Sequence, residues 1–459
     1  MKKAVLLSTE ENLLQTMSED LLDRNKDLKN FCRLLQHQQG MSSIAIDGRW
    51  GSGKTFFVKQ CALLLNSTNS LSYLNTEIKE RVYEIVKDKG FVENLADNQF
   101  LAVYYDAWKN DTEEDPVLSL IYEIIQQLDL KGGLIDLDNM SSILISALSV
   151  VTGRDVTNFF NNATDVNLLK NIQEEKKMDA ILQQFFVEAL NEKCERLVIF
   201  VDELDRCRPS FAIKVLERIE HYFVNDRITF VFSMNIEQLQ HTIKAFYGND
   251  FDACRYLDRF FDIRLSLPTT ISNRFFNSLN LNDHSTIDSV IMRIQDTYNL
   301  SLREFCKYYD TVKAAGVNYD HGDIYNFLFI YIVTLSLALK FTNISVHDEF
   351  IKGKNIQPLL DLYDNEFGAY IVQDLLNKDE ILPIIKFSDA FKTKDSIPVT
   401  VEDKLRDLYN AIFVKEYTFT DYNTQLGKYC FDKVSIPLSE VHAIRYRSPH
   451  NPLKKSIFF

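Results

Sequence analysis

One stretch of the sequence constrains what this chain can fold into more than any other, and it reads Gly48-Arg49-Trp50-Gly51-Ser52-Gly53-Lys54-Thr55. It matches the pattern G-x-x-x-x-G-K-[ST] at every position. A short apolar run precedes it at Ser43–Asp47, and a helical pattern begins directly after it. A strand, a glycine loop and a helix in this order direct free backbone N–H groups at an anion. The stretch therefore predicts a phosphate-binding loop, with a glycine-rich turn and an incidental lysine as the alternative.

The residue types of this phosphate loop suit distinct tasks on a nucleotide. Glycines let the backbone surround a phosphate without a Cβ in the way. Lys54 is predicted to reach the β- and γ-phosphates, and the Thr55 hydroxyl is predicted to ligate Mg²⁺. The predicted nucleotide contacts are the loop residues together with Phe56, the next residue along the chain.

Two acids follow an apolar run further along the chain. Residues 196–203 read Arg-Leu-Val-Ile-Phe-Val-Asp-Glu, which places Asp202 and Glu203 at the carboxyl end of a buried strand. Open α/β sheets bind their ligands at that end. Asp202 is predicted to hold the metal ion, and Glu203 to orient or deprotonate a water that attacks the γ-phosphate. The alternative for Glu203 is an acid at a helix N-terminus without a chemical role.

Strand and helix patterns alternate in the first part of the chain. Continuous apolar runs, typical of parallel strands buried on both faces, lie at Phe100–Tyr105, Leu197–Val201 and Ile228–Met234. A further strand is predicted at Phe261–Leu267, before Pro268. Helical spacing lies at Ser18–Gln39, Asp115–Leu128, Asp179–Leu190, Ser210–Val224 and Ile236–Phe246. Repeated βα units of this kind predict an α/β fold with a parallel sheet flanked by helices.

From about Thr270 onward the patterns are helical. They lie at Ile287–Tyr298, Leu302–Ala314 and Ile324–Leu339. The second part of the chain is therefore predicted to be mainly α-helical.

Composition argues against several classes of protein. The 65 acidic and 51 basic residues leave a net charge of -14, which argues against a protein that binds nucleic acid over its whole surface. The 7 cysteines are widely spaced without a C-x-x-C pair, so we expect reduced thiols and a cytoplasmic protein. The longest uncharged stretch, Ile324–Leu339, falls short of the about 18 residues that a membrane span needs. No membrane span is expected.

Three segments together resemble the KAP family of P-loop NTPases, which is related to the STAND and AAA+ ATPases. They are the phosphate loop at 48–55, the strand end Tyr105-Asp106-Ala107-Trp108-Lys109, and Val201-Asp202-Glu203-Leu204-Asp205-Arg206. The resemblance covers about Ser18 to Ala314. It implies a sheet of strand order 5-1-4-3-2, ATP and Mg²⁺ as cofactors, and roles that include phage exclusion and membrane-associated signalling assemblies.

The sequence departs from the family in two places. Asp106 stands where the family motif usually has Asn. Many members carry transmembrane helices between the two nucleotide motifs, whereas Ser141–Val151 is too short to span a bilayer. We therefore expect a soluble member. We predict a core at 1–269 with a helical insertion at about 109–195, a helical lid at 270–345 and a helical C-terminal domain at 346–459.

Further site residues are implied by the resemblance. Asn235 is predicted to sense the γ-phosphate, with the N-cap of the following helix as an equal alternative. Arg259, or Arg255 beside it, is predicted to reach a neighbouring subunit's γ-phosphate, and a surface salt bridge is the alternative. Arg303 is predicted to contact phosphate from the lid. Arg206 is expected to be an ion-pair partner rather than a catalytic residue.

Together these features predict a Mg²⁺-dependent ATPase that couples ATP binding and hydrolysis to conformational change or assembly. The resemblance points to a homo-oligomer or to protein partners in a bacterial anti-phage system. The alternatives are an ATP-gated scaffold with negligible hydrolysis and a P-loop kinase. The basic, aromatic segment His442–Phe459 fits either a nucleic acid or acidic partner, or a tail that docks on its own domain.

Overall fold

The computed structural model describes residues 7–38, 42–112, 116–127, 190, 193–222, 225–268, 271–281, 285–316, 329–363 and 401–413. The chain divides into two compact units, of which the first comprises Leu7–Phe275 and the second begins at Phe276. The helix predicted at Asp179–Leu190, apart from Leu190 itself, lies outside the described residues. So do Ser141–Val151 and His442–Phe459.

A five-stranded parallel sheet forms the centre of the first unit. Its strands are β1 (Ser42–Asp47), β2 (Phe100–Asp106), β3 (Arg196–Asp202), β4 (Ile228–Met234) and β5 (Ile263–Ser266). The order across the sheet is β2-β3-β4-β1-β5, which confirms the predicted order 5-1-4-3-2. β5 is shorter than the predicted Phe261–Leu267, and Phe261 is buried in the core ahead of the strand.

Helices flank the sheet and account for the continuous apolar strands, because both faces of the inner strands β3 and β4 are buried. The described helices of this unit are α1 (Glu10–Ser18), α2 (Asn25–His37), α3 (Lys54–Thr68), α4 (Thr76–Val86), α5 (Lys89–Asp97), α6 (Pro116–Gln127), α7 (Pro209–Tyr222), α8 (Ile236–Tyr247) and α9 (Ala253–Leu257).

The amphipathic helix predicted at Ser18–Gln39 is present as α2, but it begins only at Asn25, because a turn separates α1 from α2. Asp20 and Asp23 adopt positive φ angles of 47° and 54°, which a continuous helix does not contain. The Asp20 carboxylate accepts hydrogen bonds from the backbone N–H groups of Arg24 and Asn25, both at 3.0 Å. An aspartate side chain thus competes with the helical hydrogen bonds at this point.

Two carboxamide side chains pair with the free edge of β2. Asn66 on α3 donates to the carbonyl of Ala102 at 2.9 Å and accepts from its N–H at 2.8 Å. Gln127 on α6 does the same for Tyr104, at 2.7 Å and 2.9 Å. The backbone groups that an edge strand leaves unpaired are therefore satisfied within the chain.

The register of the strands gathers polar residues at one end of the sheet. Asp106 lies opposite Asp202, and Asp202 lies opposite Ser233 on β4. Asp47, at the end of β1, lies opposite Met234. The phosphate loop leaves β1 at this same end, so the sheet places the loop beside both acids of the second motif.

The described part of the second unit is helical, as predicted. Its helices are α10 (Asn273–Ser278, which begins in the first unit), α11 (Thr286–Tyr298), α12 (Leu302–Gly316), α13 (Thr334–Thr342), α14 (Ile344–Ile351), α15 (Gln357–Leu362) and α16 (Val401–Phe413), and a π-helical turn at Phe329–Val333 precedes α13. The buried Phe305 packs on Phe276 and Tyr309, with ring centroids 5.3 Å and 6.2 Å apart. Within the described ranges, none of the helices combines the length and the apolar character that crossing a bilayer requires.

Candidate functional site

The phosphate loop adopts the backbone conformation that its glycines permit. Gly53 has a φ of 90° and caps α3, and Gly51 has a φ of 82°. Both angles lie in the left-handed region that glycine enters without strain. A Cβ on Gly48 would stand 2.9 Å from the Ser52 Oγ, so the loop has no room for a side chain there. The glycines therefore allow the tight backbone conformation of the loop.

Lys54 lies inside this loop. Its Nζ donates to the carbonyl oxygens of Gly48 at 2.6 Å and Arg49 at 3.2 Å. Burial lowers the pKa of the Lys54 ammonium, and the carboxylates of Asp205 and Asp202 oppose that shift. The cation thus sits at the centre of the loop on carbonyl groups that phosphate oxygens can replace.

Asp202 is almost fully buried, with 1% of its surface exposed. The Tyr104 hydroxyl donates to one of its carboxylate oxygens at 3.0 Å, and the Thr55 hydroxyl lies close to the carboxylate. Burial raises the pKa of the Asp202 carboxyl, while the nearby hydroxyls of Thr55 and Tyr104 and the charge of Lys54 lower it. The two residues predicted to hold a metal ion are therefore neighbours.

The donors and acceptors at the loop fit a phosphate group with Mg²⁺. The Ser52 Oγ is buried and makes no hydrogen bond within the described structure. A buried hydroxyl without a partner is costly unless a ligand satisfies it. A carboxylate and a hydroxyl, the pair formed by Asp202 and Thr55, are the oxygen ligands that Mg²⁺ prefers.

Glu203 follows Asp202 in a strained backbone conformation, with a φ of 63°. Its N–H lies 3.0 Å from an Asp202 carboxylate oxygen and 3.2 Å from the Ser233 carbonyl. Its carboxylate forms an ion pair with Arg206. Burial raises the pKa of the Glu203 carboxyl, the charge of Asp202 raises it further, and Arg206 lowers it. The αL conformation turns this side chain away from the strand and towards the turn that follows.

Residues 24–316 match the family profile described as the KAP family P-loop domain. The chain belongs to the KAP family. No curated protein is detectably similar to it. The match spans the phosphate loop and the strand end at Asp202, and it establishes this chain as a P-loop protein of nucleotide-binding type.

The other residues predicted for the site of this KAP-family protein lie in different settings. Asn235 caps α8, with its Oδ1 accepting the Gln238 N–H at 3.2 Å, so the capping alternative is present in the structure. Arg259 is exposed on the turn after α9. Arg303 is exposed on α12 of the second unit. The phosphate contacts predicted for these residues stay predictions.

Sequence reasoning missed two residues that support the KAP loop. Tyr104 lies in the apolar pattern of β2, and only its hydrogen bond to Asp202 distinguishes it from a core residue. Arg24 is 7% exposed, and its guanidinium donates to the carbonyls of Ser52 and Pro268, both at 2.8 Å. Burial lowers the pKa of Arg24 to about 10. Arg24 belongs to no motif, so nothing in its local sequence indicated this role.

Proposed function

We propose that this KAP-family protein is a Mg²⁺-dependent ATPase. The observation that carries the proposal is the buried Asp202 carboxylate, which accepts a hydrogen bond from Tyr104 and lies beside the Thr55 hydroxyl and the Lys54 ammonium. A hydroxyl, a carboxylate and a lysine in these positions are the parts with which P-loop proteins hold a nucleotide and its metal ion. Membership of the family supports the same activity.

The protein's own residues divide the work of the reaction. Backbone N–H groups of the loop, the Ser52 hydroxyl and Lys54 bind the phosphates. Thr55 and Asp202 would hold Mg²⁺, which when bound neutralises charge on the phosphate oxygens. Glu203 orients a water and accepts its proton as the water oxygen bonds to the γ-phosphorus and the bond to the leaving ADP breaks. The products are ADP and inorganic phosphate.

Adenine is the proposed base, on the strength of the family resemblance. The further proposals are that ATP drives a change in the helical part of the chain, where Arg303 lies, and that copies of the chain or other proteins assemble with it. The exposed position of Arg259 supports a contact in trans. The cysteines of the described residues are unpaired, which supports a reducing compartment such as the cytoplasm. A role in anti-phage defence rests on the resemblance alone.

The test compares three purified proteins: wild type, Lys54→Ala and Glu203→Gln. Isothermal titration measures ATP affinity, and phosphate release measures turnover. We expect Lys54→Ala to lose binding by about 100-fold or more, because the loop loses the buried ammonium that is predicted to reach the phosphates. Glu203→Gln should bind ATP as wild type does and lose turnover by about 100-fold or more. Lys89→Ala, which removes an exposed lysine of α5, is the matched control.

One observation favours a second candidate, an ATP-gated scaffold with negligible hydrolysis. Glu203 is engaged by Arg206 in the ligand-free protein, and an ion-paired carboxylate is a poorer base. A wild-type protein that binds ATP and releases no phosphate, alone or with candidate partners, supports the scaffold. Measurable turnover that is equal in wild type, Lys54→Ala and Glu203→Gln would contradict both candidates. Transfer of phosphate to a small acceptor instead of water would support the kinase alternative.

A further inference from the structure

The chain contains 2 tryptophans, and both lie against the same arginine. The Arg206 guanidinium stands 5.9 Å from the ring centre of Trp50 and 5.5 Å from that of Trp108. Trp50 is 46% exposed and belongs to the phosphate loop, and Trp108 is 55% exposed and follows β2. A cation placed over an indole face is attracted by the ring. Three separate segments of the chain therefore meet at Arg206.

Hydrogen bonds and charge fix this cluster of Trp50, Trp108 and Arg206 to the second motif. The Trp50 Nε1–H donates to the buried carboxylate of Asp205 at 2.5 Å. Arg206 itself pairs with the Glu203 carboxylate. Trp50 of the phosphate loop thus interacts with both Asp205 and Arg206 in the turn after Glu203.

The position of the Glu203 side chain depends on its ion pair with Arg206. Its φ of 63° directs the side chain into the turn formed by Leu204–Arg206, and 18% of the side chain remains exposed. A glutamate side chain loses substantial rotamer freedom when it is held in one position. Arg206 holds it there, and the two indoles restrict Arg206 in turn.

We infer that Arg206 is the positioning residue for Glu203, and that Trp50 and Trp108 form the support that keeps Arg206 in place. The inference rests on the proposed function, in which Glu203 acts on water. It assigns to Trp50 a second role, since nucleotide that enters the loop alters the contact through which Glu203 is held. Arginine suits this position because its planar guanidinium can stack on rings and bind a carboxylate at once, which a lysine ammonium does not do equally well.

The first experiment separates positioning from binding. Arg206→Ala should lower kcat by about 10- to 100-fold, because a small misplacement of a reacting group costs about that much. Its ATP affinity should stay within about 2-fold of wild type, since Arg206 is not one of the predicted phosphate contacts. Arg206→Lys should recover part of the loss. Arg208→Ala is the control, because Arg208 pairs with Asp111 instead and has a largely exposed side chain.

The second experiment needs neither nucleotide nor turnover. Since both tryptophans belong to the cluster, acrylamide quenching of tryptophan fluorescence reports on it alone. Arg206→Ala uncovers the rings and should steepen the quenching slope. Glu203→Gln, which removes the charge that anchors Arg206, should steepen it as well. Arg208→Ala should leave the slope unchanged. Trp50→Phe and Trp108→Phe then assign the change to each ring.

The outcomes test the ATPase proposal and the positioning role of Arg206 separately. Unchanged kcat in Arg206→Ala, or an equal loss of kcat and ATP affinity, overturns the positioning role. A quenching slope that Glu203→Gln does not alter overturns it too. If wild type releases no phosphate, the ATPase proposal fails, and the fluorescence measurements alone decide whether Arg206 holds Glu203. Thermal unfolding of each variant shows whether it is folded. If Arg206→Ala does not fold, Arg206→Lys replaces it in both experiments.

Discussion

The Thr55 hydroxyl lies beside the Asp202 carboxylate and lowers its pKa, although the two residues belong to different βα units. Thr55 lies in the first turn of α3, after β1, and Asp202 ends β3. β4 lies between β1 and β3 in the sheet. Parallel pairing places the carboxyl ends of all three strands together, which brings the hydroxyl and the carboxylate of the proposed metal site together from distant sequence positions.

Removing the Asp202 charge should abolish the effect of magnesium on nucleotide binding. We expect Asp202→Asn to bind ATP with similar affinity in Mg²⁺ and in EDTA, whereas wild type should bind more tightly in Mg²⁺, because the amide carries no charge for the ion. Titration calorimetry in the two buffers measures the difference. Asp106→Asn is the control, since Asp106 lies opposite Asp202 in the register and is not a predicted ligand. An undiminished magnesium effect in Asp202→Asn would remove Asp202 from the proposed metal site.

The neighbouring tyrosines Tyr104 and Tyr105 provide a matched pair. Tyr104 donates to the Asp202 carboxylate, whereas Tyr105 shares a neutral hydrogen bond of 2.6 Å with Ser119. Tyr104→Phe should cost about 1.5 to 3 kcal/mol of stability, and Tyr105→Phe about 0.5 to 1.5 kcal/mol, since bonds to charged groups are stronger. Urea unfolding measures both.

The same pair separates a functional effect from stability. Groups that hydrogen-bond a metal ligand typically contribute about 10- to 100-fold to metal affinity. Tyr104→Phe should therefore raise the Mg²⁺ concentration that supports half-maximal ATP binding by about 10- to 100-fold. Tyr105→Phe should leave that concentration unchanged. Equal magnesium affinity in the two variants would contradict a supporting role for Tyr104.

The protected edge of β2 predicts a large stability effect far from any ligand. Asn66→Ala leaves the buried N–H and C=O of Ala102 without their partners. We expect a loss of about 2 to 4 kcal/mol in the free energy of unfolding, since each unsatisfied buried group costs about 1 to 3 kcal/mol. Chemical denaturation tests this, with the exposed Asn94→Ala as control. A loss below about 0.5 kcal/mol would show that water satisfies the strand edge instead.

His347 should make the stability of the protein depend on pH. It is 3% exposed, and burial lowers its pKa below 6.5, with Asp348 opposing that shift and Lys340 and Lys352 adding to it. The unfolded chain therefore binds a proton more readily than the folded one, so stability falls as the pH drops below about 6.5. Thermal unfolding measured from about pH 7.5 down to about pH 5.5 should show a smaller fall in the melting temperature for His347→Gln than for wild type. Parallel curves would exclude His347 as a source of the acid sensitivity.

Periodicity predicted the limits of the strands well and misplaced the start of one helix, for a physical reason. β4 has the predicted limits Ile228–Met234, because an unbroken apolar run in a buried strand leaves little freedom in its register. The pattern at Ser18–Gln39 kept its helical spacing through Leu21 and Leu22. The break there comes from the hydrogen bonds of the Asp20 carboxylate, and an apolar pattern carries no information about them.

The sequence by itself determined the phosphate loop, the acids at the end of β3 and the order of elements. These features are contiguous, so the residue types that they need appear side by side. The tertiary structure decided which distant side chains support them. Tyr104 and Arg24 reach the site through the fold, and Trp50, Trp108 and Arg206 meet from three segments. Contacts of this kind depend on strand order and register, and those are settled by the packing of the whole sheet rather than by local sequence.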